Sequence, residues 1–393
     1  MGGAPLAQLQ SRGRQAMDQL RTEVAVGGER FQLYNAGTKN GQGWFGVFPR
    51  DLLTTGLMVR DPHLLRETLG FCARTMGRQP DARTGEEPGR VLHEFTPAER
   101  DGLSSRYNAC ETTQLFVIAA RCYLEVADDP AFLVDLGDQL EAAAGYLLRH
   151  LQDGMFWEDP RFCGAERYMA HATYWKDSHL PARRRLQYPV AYTLVQAQTA
   201  AALRALAHLA GPLGLGQDPH QLRNQAEAVV GSIARRLWDG DRAHPLIALD
   251  AGQPVPGISS DGLHMLAYLE PGDLPAAVVH QLWQGAQQLV TPFGFRSYAP
   301  DQPDYSPYAY HLGAVWPHEQ FFLARGALAH GLGEAGGVCL GALDALAELG
   351  FVELFYWSPQ EGLKGPGVVP GEGCDRQLWT TALPQALGRL VGG

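Results

Sequence analysis

Two acidic residues stand among large aromatic side chains in segments far apart along the chain. Asp177 belongs to 174–179 (Tyr-Trp-Lys-Asp-Ser-His), and Glu353 belongs to 351–357 (Phe-Val-Glu-Leu-Phe-Tyr-Trp). A carboxyl group that such neighbours desolvate keeps its proton more readily, as a general acid must. The same surroundings are costly for a charge that has neither a partner nor a role. The alternatives are a loop or helix-capping role for Asp177 and a buried ion pair for Glu353.

A pair of carboxyl groups on different loops suits the hydrolysis of a glycosidic bond. One carboxyl protonates the leaving oxygen, and the other activates water or attacks the sugar directly. The distance between the two groups decides between inversion and retention of configuration at the anomeric carbon. The sequence leaves that distance open.

Three further polar segments stand in or beside long loops. The adjacent Arg50 and Asp51 can grip neighbouring sugar hydroxyls, one by donating and the other by accepting hydrogen bonds. The segment 85–94 carries three carboxylates around a Pro-Gly turn, and 310–319 places two histidines at a turn before a helix. Each segment also has a structural alternative. Asp51 begins a helix beside a surface Arg50, 85–94 is a solvated charged face, and His318 is a structural histidine.

Aromatic residues are concentrated between positions 293 and 322, which hold nine of the 37 in the chain. Proline and glycine interrupt this segment, so it does not form a single amphipathic helix. It predicts a rigid aromatic wall of the kind that packs on the C–H faces of sugars or on planar ligands. Aromatic loops that only cover the core are the alternative.

The composition argues against several classes of function. The 393 residues include 32 basic and 42 acidic side chains, a formal charge of −10, so binding to nucleic acids or to anionic membranes is not expected. No apolar run is long enough to span a membrane, and the first residues lack the apolar core of a secretion signal. Six widely spaced cysteines predict free thiols in a reducing compartment. We therefore expect a cytoplasmic protein with one domain over 1–393 and with no metal or organic cofactor.

Helices must position most of these polar segments, because apolar residues recur at steps of three and four along the chain. Asp-Pro pairs at 61–62, 129–130 and 218–219 mark three helix starts, since Asp caps free N–H groups and Pro suits the first turn. Two to four short strands are expected in the loops, for example at 244–249. The twelve predicted helical stretches are 4–24, 50–60, 61–77, 108–127, 130–151, 188–211, 217–238, 259–269, 272–290, 313–332, 334–349 and 375–391.

Six segments in order resemble the motifs of the bacterial amylo-α-1,6-glucosidase-type catalytic domain, which is related to glycoside hydrolase families 15 and 63. The match to Trp-Lys-Asp-Ser is identical at 175–178, and so is the match to Tyr-His-x-Gly-x-Val-Trp-Pro at 310–317. The resemblance covers about 45–385, and six motifs in one order make it specific for the fold and for sugar chemistry. The segments that are similar without being identical are 48–51, 87–94, 107–116 and 352–355.

The resemblance implies an all-α (α/α)6 barrel, in which six inner and six outer helices leave the site in a mouth formed by loops. It implies that Asp177 is the general acid and that Glu353 is the general base of an inverting reaction, with Glu319 as a rival base. It also implies that Arg50 and Asp51 hold the hydroxyls of the terminal sugar. The other residues implied to line or brace the pocket are Glu94, Glu111, Trp175, Lys176, His311, Trp316 and Glu319.

Two departures from the family pattern leave the choice of substrate open. Pro49 stands where the family has Gly, and Glu111 stands where it has Asp, both in motifs that grip the sugar. The motifs begin near residue 45, so the N-terminal β domain of debranching members is not expected, which favours a small glycoside over a polymer. The leading hypothesis is an exo-acting α-glycosidase of α-glucosides, whose partner is a small-molecule or oligosaccharide substrate.

Three other functions remain open at this point. A hydrolase of glucosylglycerate or mannosylglycerate is the first, because Arg183–Arg185 follow the implied acid and suit an anionic aglycone, although a solvated basic loop explains them as well. A sugar isomerase or epimerase on the same barrel is the second, with His311 and His318 as proton-transfer groups. A carbohydrate-binding protein without activity is the third. The sequence does not predict an oligomeric state.

Overall fold

The computed structural model describes residues 3–39, 42–44, 46–127, 129–183, 185–369 and 373–392. Within these ranges the chain is mainly helical, and the helices follow the predicted stretches closely. The α-helices are α1 (Gly3–Asp18), α2 (Pro49–Val59), α3 (Pro62–Thr75), α4 (Glu111–Val126), α5 (Pro130–Asp135), α6 (Gly137–His150), α7 (Thr193–Leu213), α8 (Pro219–Arg236), α9 (Asp261–His264), α10 (Ala276–Ala286), α11 (Pro317–Ala329), α12 (Gly333–Cys339), α13 (Gly341–Leu349) and α14 (Leu378–Gly392). The 3₁₀ helices are Pro160–Cys163, Met265–Ala267, Gln287–Leu289 and Pro366–Val368.

Six helices form a closed inner ring. Helices α2, α4, α7, α9, α11 and α14 contact one another in that order, with Met265–Ala267 extending α9, and α14 returns to α2. Every residue of α2 is buried, as suits a helix surrounded by protein on all faces. The ring thus brings the last helix of the chain against an early one.

The remaining long helices cover this ring from outside. Helix α1 packs on α14, α3 on α2 and α4, α6 on α4 and α7, α8 on α7, α10 on α9, and α12 on α11. The outer helices are amphipathic; α8 buries one face that includes Leu222, Ala226 and Ile233. Outer and inner helices alternate along the chain, which is the arrangement of an (α/α)6 barrel and confirms the predicted fold class.

The Asp-Pro pairs begin helices as predicted. The side chain of Asp61 accepts a hydrogen bond from the N–H of Leu64 at 2.8 Å, and Pro62 occupies the first turn of α3. Asp129 and Asp218 cap α5 and α8 in the same way. Each cap satisfies an N–H group that has no partner within its helix.

Some predicted helices are shorter or divided. The stretch 130–151 breaks at Leu136 into α5 and α6, and 334–349 breaks at Leu340 into α12 and α13. The stretch 188–211 begins as a strand and becomes helical only at the start of α7. Apolar periodicity continues across these breaks, so the pattern alone does not locate them.

Short strands are more numerous than predicted. They pair into antiparallel hairpins and three-stranded sheets that shape the loops, and the segment 244–249 contributes to two of them. The strands in the described ranges are Arg21–Val26, Glu29–Tyr34, Gly37–Lys39, Gln42–Trp44, Glu99–Arg100, Leu103–Ser104, Leu151–Gln152, Met155–Phe156, Val190–Tyr192, Trp238–Asp239, His244–Pro245, Ala248–Asp250, Gln253–Val255, Val290–Thr291, Gly294–Phe295, Tyr356–Ser358, Gly362–Lys364 and Arg376–Gln377.

The predicted first helix, 4–24, is wrong at its C-terminal end. Residues Arg21–Val26 instead pair with Glu29–Tyr34 in an antiparallel hairpin. Gly27 and Gly28 form the turn with φ angles of 59° and 88°, which glycine adopts without strain. A two-residue Gly-Gly turn between two alternating segments is itself a hairpin signal, so the sequence contained the information.

The charged segment 85–94 is largely structural. The fully buried guanidinium of Arg90 donates hydrogen bonds to Glu87 at 2.8 Å and to Glu158 at 2.6 Å. The Nε2 atom of His150, at the end of α6, lies 2.8 Å from Glu87. These groups compensate one another where water does not reach, and they fasten the loop to α6 and to the segment of Glu158.

We expect Arg90→Ala to lower the free energy of unfolding by about 3–5 kcal/mol, because Glu87 and Glu158 would remain buried without their cation. Arg83→Ala is the matched control. Arg83 pairs with Glu99 at 3.0 Å, but 57% and 62% of these side chains are exposed, so the loss should be small. Urea unfolding measures both variants, and equal losses would contradict the buried network's role.

All six cysteines are free, as the spacing predicts, and all six are buried. The core is therefore held by packing and not by disulfide bonds. No helix in the described ranges combines the length and the apolar character needed to cross a bilayer.

Candidate active site

A cavity of about 150 Å³ opens where the inner helices α2, α11 and α14 begin. The loops that enter these helices supply much of its wall, and the N-terminal ends of helices carry partial positive charge. Both carboxyl groups singled out from the sequence face it. The lining residues are Ala36, Phe48, Arg50, Asp51, His93, Trp175, Asp177, Tyr310, His311, Trp316, Glu353, Cys374, Gln377 and Trp379.

Asp177 lies in the cavity wall with 35% of its side chain accessible. Its Oδ2 atom accepts a hydrogen bond from Nη1 of Arg50 at 3.1 Å. Burial raises the pKa of Asp177 above its ordinary value, and the guanidinium of Arg50 opposes that rise without cancelling it. A carboxyl group in this position can hold a proton and still reach a ligand.

Glu353 is held from both sides. The hydroxyl of Tyr310 donates to Oε1 at 2.7 Å, and the backbone N–H of Cys374 donates to Oε2 at 2.7 Å. Burial raises the pKa of Glu353, while these two hydrogen bonds act in the opposite direction. Backbone hydrogen bonds between Val315 and Phe355 bring the segment of Tyr310 alongside that of Glu353.

Arg50 stands in the first turn of α2 and links two carboxylates. Its Nε atom donates to Oε1 of Glu111 at 2.6 Å, and its Nη1 atom donates to Asp177. Burial opposes the charge of Arg50, but Glu111, Asp177 and Asp51 more than offset this effect and raise its pKa. Arg50 is therefore a fixed cation in the floor of the cavity.

Asp51 is held by a residue from the other end of the chain. Its Oδ1 atom accepts a hydrogen bond from Nε2 of Gln377 at 2.7 Å. The short strand Arg376–Gln377 pairs with Gly37–Lys39, which fixes Gln377 beside the start of α2. Burial raises the pKa of Asp51 to about 8, although Arg50 acts in the opposite direction, so this carboxyl can both donate and accept hydrogen bonds near neutral pH.

Aromatic rings form a continuous wall of the cavity. The rings of Trp175 and Trp316 meet edge to face with centroids 5.6 Å apart, and the ring of His311 stacks on Trp316 at 5.0 Å. Of the nine residues in the aromatic segment, Tyr310 and Trp316 line the cavity, and Tyr305 lies beside Arg296 outside it. Much of that segment therefore packs elsewhere, as the alternative interpretation held.

His311 lines the cavity and keeps one ring nitrogen without a hydrogen-bond partner among the described residues. The backbone N–H of Ser178 donates to Nδ1 of His311 at 3.4 Å, and the Ser178 hydroxyl lies 2.9 Å from the same atom. This arrangement places the ring proton on Nε2, a buried atom with no partner among the described residues. Burial lowers the pKa of His311 well below its ordinary value, so the ring is neutral.

Four residues implied by the resemblance do not line the cavity. Lys176 turns away and donates to Ser259 and Ser260 at 2.8 and 2.9 Å. The side-chain hydroxyl of Ser105 donates to Glu94. Glu111 is buried behind Arg50, and Glu319 lies 3.2 Å from Nδ1 of His264. These groups lie behind the wall, whereas the other residues implied by the resemblance line the cavity: Arg50, Asp51, Trp175, Asp177, His311, Trp316 and Glu353.

Neither of the two described arginines in the 183–185 triplet lines the cavity. Arg183 lies 3.6 Å from Asp250, and Arg185 is exposed. Arg184 lies outside the described residues. The triplet thus gives no direct support to a binding site for an anionic aglycone.

Sequence reasoning missed several lining residues. Cys374 and Gln377 hold Glu353 and Asp51, yet they precede α14 in a segment that matched no motif. Trp379 stacks on His318 at 3.8 Å, which makes His318 a structural histidine behind the wall. Tyr310 and His93 stood inside the resembling segments, so they could have been proposed from their positions there.

Asp261, His264 and Glu319 are close enough together to suggest a metal site. The oxygens of Asp261 are already engaged, because Oδ1 lies 3.0 Å from the ammonium of Lys176 and Oδ2 accepts from Tyr174 at 3.0 Å. A metal ion would lie beside this ammonium, which would repel it. The donor set suits an internal ion-pair network better than a metal ion.

Comparison with solved structures supports the fold. A mannosylglycerate hydrolase of glycoside hydrolase family 63 from Thermus thermophilus, in complex with glucose, superposes with a TM-score of 0.68 at 17% identity over 97% of this chain and 100% of that one. The complex of that enzyme with Tris and D-glycerate gives 0.66 at 16% identity, over 96% and 99%. A rhamnosidase from Klebsiella oxytoca with rhamnose bound gives 0.64 at 13% identity, over 100% of this chain and 65% of that one.

A search of curated proteins found no match to this sequence. At the level of families, residues 54–380 match the mannosylglycerate hydrolase MGH1-like glycoside hydrolase domain. This match includes Asp177, Glu353 and most of the inner ring, whereas Arg50 and Asp51 precede it. A match over most of the chain shows that the protein belongs to the MGH1-like glycoside hydrolases, and it is therefore a glycoside hydrolase built on an (α/α)6 barrel.

Proposed function

We propose that this glycoside hydrolase is exo-acting, that it inverts the configuration of α-glycosides, and that α-glucosides are its leading substrates. The observation that supports this most is that Asp177 and Glu353 face one small cavity in unlike surroundings. Asp177 contacts a guanidinium, whereas Glu353 accepts hydrogen bonds from a phenol and an amide. Carboxyl groups in different environments suit the different roles of acid and base.

In the proposed reaction, Asp177 donates its proton to the glycosidic oxygen as the bond from that oxygen to the anomeric carbon breaks. A water molecule attacks the anomeric carbon from the opposite face, and its proton passes to Glu353. Burial favours the protonated form of Asp177, while Tyr310 and the N–H of Cys374 favour the ionised form of Glu353. An α-glycoside then releases a β-configured sugar.

The terminal sugar is proposed to lie between Asp51, the Nε2–H of His311 and the indoles of Trp175 and Trp316. Asp51 and His311 offer hydrogen bonds to hydroxyls, and the indoles offer flat faces to C–H groups. The cavity is small, about 150 Å³, which favours exo action on one terminal sugar over the binding of an extended chain. The hydrogen bonds of Arg50 to two carboxylates favour a bracing role for it over a grip on hydroxyls.

We also propose one catalytic domain over 1–393 and a cytoplasmic location. The closed ring, in which α14 meets α2, supports the single domain. The six free cysteines support a reducing compartment.

Hydrolysis of mannosylglycerate or glucosylglycerate is the second candidate. The family match and the Thermus structure with D-glycerate favour it. The cavity favours it less, because Arg50, a cation that does line the wall, is already paired with Glu111 and Asp177. The family match argues against a sugar isomerase or epimerase and against a carbohydrate-binding protein without activity, since the family is one of glycoside hydrolases.

A hydrolysis screen with proton NMR of the fresh product tests the proposal. The panel contains maltose, isomaltose, panose, trehalose, kojibiose, sucrose, a branched limit dextrin, glucosylglycerate and mannosylglycerate. We expect at least one α-glucoside without glycerate to release a β-configured sugar first. Cleavage of the two glycerate glycosides alone would support the second candidate, and an α-configured first product would contradict inversion.

We expect Tyr310→Phe to move the acidic limb of the kcat/KM profile to higher pH. The Tyr310 hydroxyl favours the ionised carboxylate, so its removal raises the pKa of Glu353, and the base becomes protonated sooner as the pH falls. On that limb kcat/KM should fall by roughly 10-fold. Tyr308→Phe is the control, because the ring of Tyr308 packs on Tyr356. This substitution should leave the acidic limb in place. An unmoved limb in Tyr310→Phe would argue against Glu353 as the base.

A further inference from the structure

Arg50 is shared between two carboxylates that differ in access to ligand. Glu111 stands in the first turn of α4, and its side chain is 1% exposed. Its Oε1 atom lies 2.6 Å from Nε of Arg50. The Oδ2 atom of Asp177 lies 3.1 Å from Nη1 of Arg50, and the Asp177 side chain is 35% exposed. Glu111 does not line the cavity, so no sugar bound there reaches it. Its contact with the cavity runs through the guanidinium.

A cation divided between two anions attracts each of them less than it would attract one alone. This effect is large when the charges are buried, because water screens them poorly. If Asp177 alone held Arg50, its carboxyl would be driven toward the ionised form. A general acid must avoid that outcome, since it has to carry a proton when the substrate arrives.

We propose that Glu111 is a positioning residue of this hydrolase, which takes up part of the charge of Arg50 and thereby keeps Asp177 able to carry the catalytic proton. The inference deepens the proposed function and rests on Asp177 as the general acid. It gives a role to a buried carboxylate that does not line the cavity.

The electrostatics around the three groups agree with this role. Burial raises the pKa of Asp177, and Arg50 is the group that most opposes the rise. Burial likewise raises the pKa of Glu111, Arg50 lowers it, and the charge of Asp177 raises it. The charge of Asp177 therefore favours protonation of Glu111 across one guanidinium, and because repulsion between like charges is mutual, we infer the same effect of Glu111 on Asp177.

Other charged or titratable groups also surround Asp177. Substitutions of Glu111 leave their effect on the protonation of Asp177 unchanged. Lys176 is turned toward Asp261, and the ring of His311 is neutral. His179, two positions along the chain, is exposed. The remaining groups that interact with Asp177 are Asp51, Glu94, Tyr310 and Glu353.

The test is the pH dependence of kcat/KM in Glu111→Gln, on a glycoside that the screen identifies. Glutamine has the shape of Glu111 and can still accept from Nε of Arg50, but it removes the negative charge. Arg50 then holds Asp177 more strongly, so the alkaline limb should move to lower pH. Activity on that limb should fall by roughly 3- to 10-fold beyond any loss that is equal at all pH values.

Glu111→Asp is the matched control, because it keeps the charge and should keep the limb near its wild-type position even if the rate falls. A uniform loss in Glu111→Gln, with the limb unmoved, would show a merely structural role and overturn the inference. If Glu111→Gln does not fold, Arg50→Gln provides the opposite test. Loss of the cation should move the alkaline limb to higher pH, and an unmoved limb would again overturn the inference.

Asp177→Asn separates this inference from the proposed function. If Asp177→Asn is inactive on the glycoside while Glu111→Gln leaves the limb unmoved, the inference fails and the assignment of the acid stands. If Asp177→Asn keeps wild-type activity, both fail. A glycosyl fluoride needs no acid to assist its leaving group, so the shift in Glu111→Gln should be absent with that substrate.

Discussion

In Asp177→Asn, kcat for a glycoside with a sugar or alkyl leaving group is expected to fall by about 10²- to 10⁴-fold. Such a leaving group departs as a poor anion unless a proton arrives during bond cleavage, and an asparagine amide has no proton of suitable acidity to give. The amide retains the shape of the carboxyl group and can still accept the hydrogen bond of Arg50. Steady-state kinetics on the substrate identified by NMR measures the effect.

The control for Asp177→Asn is the matching α-glycosyl fluoride. Fluoride leaves without protonation, so the variant should hydrolyse this substrate far better, relative to wild type, than it hydrolyses the glycoside. Thermal unfolding shows whether the fold is intact. An equal loss on both substrates in a folded variant would contradict a general-acid role for Asp177.

In Glu353→Gln, kcat is expected to fall by about 10²- to 10⁴-fold on the glycoside and on the glycosyl fluoride alike. Water must be activated in both reactions, because the base acts on the nucleophile and not on the leaving group. The substitution also turns an amide nitrogen toward either the Tyr310 hydroxyl or the Cys374 N–H. Some loss of stability is therefore expected, and thermal unfolding of the variant must be measured beside its activity.

Glu319→Gln is the comparison for Glu353→Gln, because Glu319 was the rival base. It lies against His264 and does not line the cavity. We expect its substitution to lower stability more than it lowers kcat. Loss of turnover in Glu319→Gln together with activity in Glu353→Gln would reverse the assignment of the base.

Much of the barrel could be predicted because its signals are local. In each Asp-Pro pair the aspartate side chain caps the helix that follows, as Asp61 does for α3. Apolar residues at steps of three and four mark a buried helical face, whichever element packs against it. Errors occurred where two local signals competed. The stretch after α1 has apolar residues at helical spacing, but the Gly-Gly turn at 27–28 directs it into a hairpin.

The site was only partly predictable. The residue types that stand beside aromatics and turns are visible in the chain alone, and they indicated Asp177, Glu353, Arg50 and Asp51 as groups for sugar chemistry. These types and spacings are local properties of the chain. The six motifs in one order added the fold and the reaction class, since each motif is short but their order is specific.

Which side chains face the cavity depends on how the chain folds. Lys176 and Asp177 are neighbours in one identical motif, yet Lys176 turns toward Asp261 and Asp177 meets Arg50. The hydrogen bond from Gln377 to Asp51 joins residues 326 positions apart. Such contacts exist only because the ring of helices closes, and a buried charge takes the orientation in which it finds its partner. Spacing along the chain carries no information about that choice.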